Sequence, residues 1–314
     1  MNTRSNLAAW VDSYLADRRH AGFALKIEGT QLMRFARFTE QTGHRGALTV
    51  KLAVQWASSS PSGKPLTAAR RIEVLRPFAS YCRQFDAATE IPPRSLFGQA
   101  HRRLTPHIFT QEEILDLLQA CDRLLPAGGL RGATCAAIFG LIASTGLRIS
   151  EATTLDRADV DLGRRLLHIH GAKFGKSRYV PLHPTTATAL RRYERRRDLD
   201  PAAGNTNAFF VFDYGRSAST SSVEYAFKLL RAALGWHARG DHQEPRVHDL
   251  RHTFVCHRLQ EWYAQGLEID RAILALSTYI GHAKITDTYW YVTATPELLA
   301  IAAKRLVSRN GGAS

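Results

Sequence analysis

The chain has 314 residues, with 45% hydrophobic and 9% aromatic side chains, which excludes a disordered polymer and allows two domains. Lys and Arg number 42 against 28 Asp and Glu, a formal charge of +14, which points to a polyanion partner. The longest uncharged run, residues 132–147, spans 16 residues, short of the roughly 20 that cross a bilayer, so no membrane association is expected.

Apolar residues first recur at helical spacing at Leu7, Trp10, Val11, Tyr14 and Leu15, then at Leu32, Phe35 and Phe38, and again at Leu52 and Trp56. After the loop "SSSPSGKP" a fourth stripe runs through Ile72, Leu75, Phe78, Cys82 and Phe85, with Pro77 expected to kink it. Residues 1–106 hold 16 basic and 7 acidic side chains, +9, against 26 and 21, +5, for residues 107–314. The pattern predicts a small basic all-helical domain over 1–95, with Lys26, Arg70 and Arg71 as candidate phosphate contacts. The stretch 96–106 loses periodicity and reads as a linker.

The second domain, 107–314, opens on "FTQEEILDLLQACDRL", where Thr110 and Glu113 have capping-box spacing. A buried helix over 132–143 follows. Between 159 and 182 the period changes to two, and "RRLLHIHGAKFGKSRYVPL" reads as two strands around a Gly-containing turn. Helices are expected again at 185–198, 221–234, 249–264, 268–280 and 295–308. The expected fold is mainly α with a small antiparallel β-sheet. The four cysteines are scattered and read as reduced core thiols of a cytoplasmic protein.

Four polar clusters stand out here. Arg148 follows a Gly turn at a helix start, with Glu151 three residues on. It is either an oxyanion donor or half of a surface ion pair. Lys173 lies on the strand-joining turn, where it either reaches a neighbouring site or is merely solvated. In "HDLRHTFVCHRL", His248 and Arg251 share a helix face, whereas His252 is expected closer to the other side. Zinc on His248 and His252 would need a glutamate base, and Asp249 is a methylene too short. In "YIGHAKITDTYWYV", His282 precedes Tyr289 and Tyr291 and follows Tyr279, and chemistry alone does not choose among the three tyrosines. Two arginines, a lysine, two histidines and a tyrosine, without an acidic pair for Mg²⁺, suit the holding and covalent replacement of a phosphodiester linkage.

The order and local sequence of these clusters resemble the tyrosine recombinase (phage integrase) family. "STGLRISEATTL" is similar to its first arginine box, "HDLRHTF" to its H-x-x-R box, and "GAKFGKSRYVPL" to its hairpin lysine. "YIGHAKITDTYWY" is similar to its G-H box, with a tyrosine nine residues after the histidine. The basic helical part resembles the family's core-binding domain in size, charge and helix content.

The resemblance implies that Arg148 and Arg251 clamp the scissile phosphate and that Lys173 protonates the leaving 5′ oxygen. His248 and His282 would assist proton transfer, Glu151 would support Arg148, and Tyr291 would attack to give a 3′-phosphotyrosyl bond. It further implies double-stranded DNA as substrate and four protomers on the DNA, with accessory DNA-bending proteins as possible partners. No cofactor or metal is required. The closing "DTYWYVTATPELL" resembles integrases of plasmids and transposons, and "TPELLAIAAKRLV" is an amphipathic segment expected to dock on a neighbouring protomer. The competing reading is a non-catalytic DNA-binding regulator on the same fold.

Overall fold

The computed structural model describes residues 6–100, 103–172 and 176–294. They fall into two compact units, divided between Arg103 and Leu104.

The first unit is four helices, α1 (Leu7–His20), α2 (Lys26–Gln41), α3 (Val50–Ser58) and α4 (Pro65–Cys82). Local sequence sets their starts. The Asn6 side chain accepts from the amides of Ala8 and Ala9, Thr49 caps α3 through the Leu52 amide, and Pro65 opens α4 where no amide is needed. The apolar stripes meet in one core of Val11, Leu32, Phe35, Leu52, Trp56, Ile72, Leu75 and Phe78. Helix α4 continues through Pro77 to Cys82, because packing of Phe78, Ala79 and Cys82 into that core holds the last turn despite the missing amide. Phe85 lies beyond the helix and is exposed. Arg71 is already engaged, donating to the Trp56 carbonyl at 2.8 Å and lying over its ring, whereas Lys26 and Arg70 are exposed.

The second unit contains α5 (Gln111–Ala120), α6 (Leu130–Thr145), α7 (Ile149–Thr153), α8 (Pro184–Leu199), α9 (Thr220–Ala233), α10 (Val247–Ala264), α11 (Ile269–Ile280) and α12 (Thr286–Ala294). Between α7 and α8 lie β1 (Val160–Asp161), β2 (Leu166–Ala172) and β3 (Lys176–Pro181), an antiparallel sheet in the order β1-β2-β3. The Thr110–Glu113 capping box is formed. Helix α6, apolar on most sides, is central and packs against α5, α8 and α10.

Two elements differ from the sequence expectation. Strand β1 is a two-residue addition to the expected hairpin, and α12 was hidden because its sequence, TDTYWYVTA, has no apolar stripe. The expected helix 295–308, and with it the docking segment, lies outside the described residues. Among the described residues no helix is long and apolar enough to cross a membrane. The four cysteines are buried thiols, and burial pushes those of Cys82 and Cys135 up to about 12.

Sheet register decides which side chains reach the interior. Leu167 faces Val180 and Ile169 faces Arg178 across the hairpin, and Leu167, Ile169 and Val180 are buried. Arg178 therefore points inward with the core residues, while the alternate pair His168 and Tyr179 points outward.

Candidate active site

The site is organised around the carbonyl end of α11. That helix stops at Gly281, whose φ of 70° is a left-handed conformation suited to glycine. Its last carbonyls gather three guanidinium groups. Arg148 Nη2 donates to Gly281 O at 2.8 Å, and Arg251 Nη2 donates to Ile280 O at 2.9 Å. Arg178 Nε donates to Tyr279 O at 2.9 Å. The negative end of the helix dipole favours cations there. Two arginines 103 residues apart in sequence (148 and 251) thus converge on consecutive carbonyls.

Each arginine is delivered by a different local device. Helix α6 ends on Gly146, φ 67°, and the reversal places Arg148 at the cap of α7. A side chain at Gly146 would put its Cβ 2.5 Å from Phe254, so the turn also fits closely against α10. Arg251 sits one turn into α10, almost fully buried, and donates to Gly146 O at 2.6 Å. Burial, then the nearby Arg148, lowers its pKa to about 10, and it remains cationic at neutral pH.

Glu151 ties two of the arginines together. Its carboxylate accepts from the Arg148 amide at 3.0 Å and Nη1 at 2.8 Å, and from Arg178 Nη1 and Nη2 at 3.0 and 2.9 Å. Glu151 is buried, so this is not a surface pair of small worth. Burial alone would raise its pKa, but the paired Arg178 contact and the Arg148 amide outweigh it and hold the carboxyl at about 2. Arg178 was not singled out from the sequence. Its inward register position in β3 was the available signal.

The histidines and the tyrosine form the other side. Helix α10 begins at Val247 and is capped by Asp249, which is fully buried and accepts from the Arg246 amide at 2.8 Å and Nη2 at 2.7 Å. Asp249 is therefore committed to structure. His248 and His252 are neighbours on α10, their rings 4.7 Å apart. His252 Nδ1 lies 2.6 Å from the Tyr291 hydroxyl, so His252 belongs to the site and is not on the opposite side of the helix. His282 follows Gly281, bonds Thr288 Oγ1 through Nδ1 at 2.7 Å, and lies parallel to the Tyr291 ring with centroids 6.2 Å apart. Desolvation by the surrounding protein is the first cause lowering all three histidines, with nearby cations adding to it, although His248 keeps an exposed edge and His252 and His282 are half-buried. His248 falls to about 4, His252 to about 2 and His282 to about 3, so all are neutral at pH 7.

Packing distinguishes the three tyrosines. Tyr279 donates to Pro181 O and stacks on Phe254. Tyr289 is exposed, two residues from Tyr291 and so on a different face of α12. Tyr291 is 2% exposed and sits among the histidines. The structure brings together Arg148, Glu151, His248, Arg251, His282 and Tyr291, whereas Lys173 lies outside the described residues.

Residues 107–297 match the model of the phage integrase family. The chain belongs to the phage integrase family. A putative integrase/recombinase, y4rB, of Sinorhizobium fredii is 36% identical, over 95% of this chain and 96% of its own. The tyrosine recombinase XerC of Chlamydia trachomatis is 30% identical over 74% of this chain and 68% of its own. Among solved structures, the Tn1549 transposon integrase in complex with transposon right end DNA has a TM-score of 0.67 at 18% identity, covering 96% of this chain and 99% of that one. A lambda integrase dimer bound to a COC′ core site has a TM-score of 0.64 at 18% identity, covering 91% and 76%. These two likenesses concern the fold. The family membership makes this chain a site-specific recombinase, an enzyme that breaks and rejoins DNA strands.

Proposed function

We propose that this recombinase cleaves double-stranded DNA by attack of the Tyr291 oxygen on a phosphodiester, leaving a 3′-phosphotyrosyl bond and a free 5′ hydroxyl. The observation that carries this reading is the convergence of Arg148 and Arg251 on adjacent carbonyls beside the buried Tyr291 and its partner His252. The two guanidiniums take the non-bridging oxygens and stabilise the charge of the pentavalent transition state. Glu151 and Arg178 hold Arg148 in place. His248 and His282, neutral at pH 7, can each give or accept a hydrogen bond at those oxygens. His252 positions the phenol and offers a neutral imidazole to its proton. Lys173, in the sequence between β2 and β3, protonates the leaving 5′ oxygen.

The phosphotyrosyl bond keeps the energy of the linkage it replaces, so a 5′ hydroxyl from another strand reverses the attack and completes recombination without ATP or a metal. The first unit, with its surplus of positive charge, acts as the core-binding domain gripping DNA phosphates. Exposed Lys26 and Arg70 are available for that task. Arg71, bonded to Trp56, is better placed to hold α3 against α4. Four protomers assemble on two duplexes, helped by DNA-bending proteins, and the amphipathic pattern of Leu298, Leu299, Ala302 and Leu306 supports docking of the C-terminal segment on a neighbour. The resemblance of "DTYWYVTATPELL" to integrases of plasmids and transposons supports a role in a mobile element, and the four free, buried cysteines fit a reducing cytoplasm. Nothing favours a non-catalytic regulator, because the described site residues are all present.

Covalent trapping on nicked duplex DNA tests the reading. An adduct resistant to EDTA, lost in Tyr291→Phe and kept in Tyr289→Phe, is the expected result. An adduct that survives Tyr291→Phe, or no adduct at all, overturns it.

A further inference from the structure

The outward face of the β2–β3 hairpin carries a second cluster of donor groups that the strand-exchange chemistry does not use. His168 and His170 are two residues apart on β2, hence on one face of the strand. The β1–β2 register pairs Val160 with Leu167, which brings the preceding Asp159 alongside His168. His170 Nε2 lies 2.6 Å from Asp159 Oδ1, and the two imidazole rings are 3.9 Å apart at 56°. One donor atom from each of the three residues lies within 4.8 Å of the others.

We propose that Asp159, His168 and His170 form a binding site for a divalent late first-row transition ion of the zinc type. Two imidazoles and one carboxylate are the donor set such ions favour over Mg²⁺ or Ca²⁺, which take oxygen ligands. Two ligands each about 2.0–2.1 Å from a tetrahedral ion stand roughly 3.3 Å apart. The Asp159–His170 contact therefore opens by less than about 1 Å as the ion replaces the shared proton.

Supporting contacts are already in place. The other Asp159 oxygen accepts from the Asp156 amide at 2.9 Å, which orients the carboxylate, and Tyr179 stacks on His168 with centroids 4.6 Å apart. His170 is about half exposed, with 57% of its side chain accessible, so an ion can enter and keep solvent in its remaining positions.

The site shares the hairpin with the arginine cluster but uses the opposite face. Arg178 points inward from β3 to Glu151, whereas His168 and Tyr179 point outward. An ion bridging Asp159 to β2 clamps the strand pair that carries Arg178 on β3. It takes no part in the cleavage step, so the proposal stands or falls separately from the nucleophile assignment.

Titration of the metal-free full-length protein with Co²⁺, followed by visible absorbance, and with Zn²⁺ by calorimetry tests it. One saturable equivalent is expected, with Zn²⁺ raising the thermal midpoint. Both His168→Ala and His170→Ala should bind at least about tenfold more weakly and lose the midpoint shift. Every variant retains His248, His252 and His282, so unchanged affinity in both would locate the ion elsewhere and overturn the assignment. Absence of saturable binding in the unsubstituted protein would also overturn it. Imidazole NMR of the unsubstituted protein gives a readout independent of variant folding. The resonances that shift with Zn²⁺ must be those of His168 and His170, and shifts confined to other histidines refute the site.

Discussion

The Nδ1 of His252 lies 2.6 Å from the phenolic oxygen of Tyr291, joining the second helical turn of α10 to the last helix described. That bond engages Tyr291, alone of the three described tyrosines near the motif, with a site histidine beside a cluster of cations. Its loss has a direct consequence. His252→Phe keeps an aromatic ring but removes the partner, and should slow adduct formation about tenfold to a hundredfold through misplacement of the nucleophile. DNA affinity, measured by gel shift, should stay the same. A normal trapping rate in a folded variant would mean that the phenol is positioned by other groups.

Glu151 is the anion that lets Arg148 and Arg178 stand side by side. Replacing it by Gln leaves the two guanidiniums mutually repelling in a buried place. Removing one partner of a buried pair costs about 3–5 kcal/mol, which urea unfolding would register. Cleavage should fall as well, because Arg148 would no longer be held toward Gly281.

Gly146 combines a left-handed φ of 67° with a position where an added Cβ would lie 2.5 Å from Phe254. Gly146→Ala therefore has both backbone strain, about 1–2 kcal/mol, and an overlap that must displace the ring or Arg251. A lower melting temperature together with weaker cleavage is expected. Phe254→Leu in the same chain should recover part of the loss by vacating the space.

Acid should destabilise the second unit in two steps. The site histidines have folded pKa values below the ordinary 6.5, so the unfolded chain binds more protons than the folded one as pH falls below 6.5. Their contribution is complete above that value and is lost on acidification, for His248 down to about pH 4. Glu151 acts in the same direction at lower pH, its contribution fading from about 4.5 toward 2. Urea midpoints measured from pH 7.5 to 4.5 should fall progressively below pH 6.5, and less steeply in His248→Gln. A midpoint that rises over this interval would contradict neutral site histidines.

The linear sequence by itself determined the helical stripes of both units, the capping box at Thr110 and the hairpin period, and its motif order named most residues of the candidate site. Each of these depends on near neighbours, since periodicity, caps and turn glycines act within a few residues. The motif spacing also placed Tyr291 nine residues after His282. Only the tertiary structure decided which groups share a site. His252 looked like a residue of the far face because helix periodicity describes one helix at a time, whereas α12 packs close enough to reach its ring. Arg178 carries no motif signal in the sequence, and the strand register alone turns it inward onto Glu151. The gathering of Arg148, Arg178 and Arg251 at the end of α11 joins three distant segments. It is set by packing and by the need to satisfy the last carbonyls of a helix, and no local pattern encodes it.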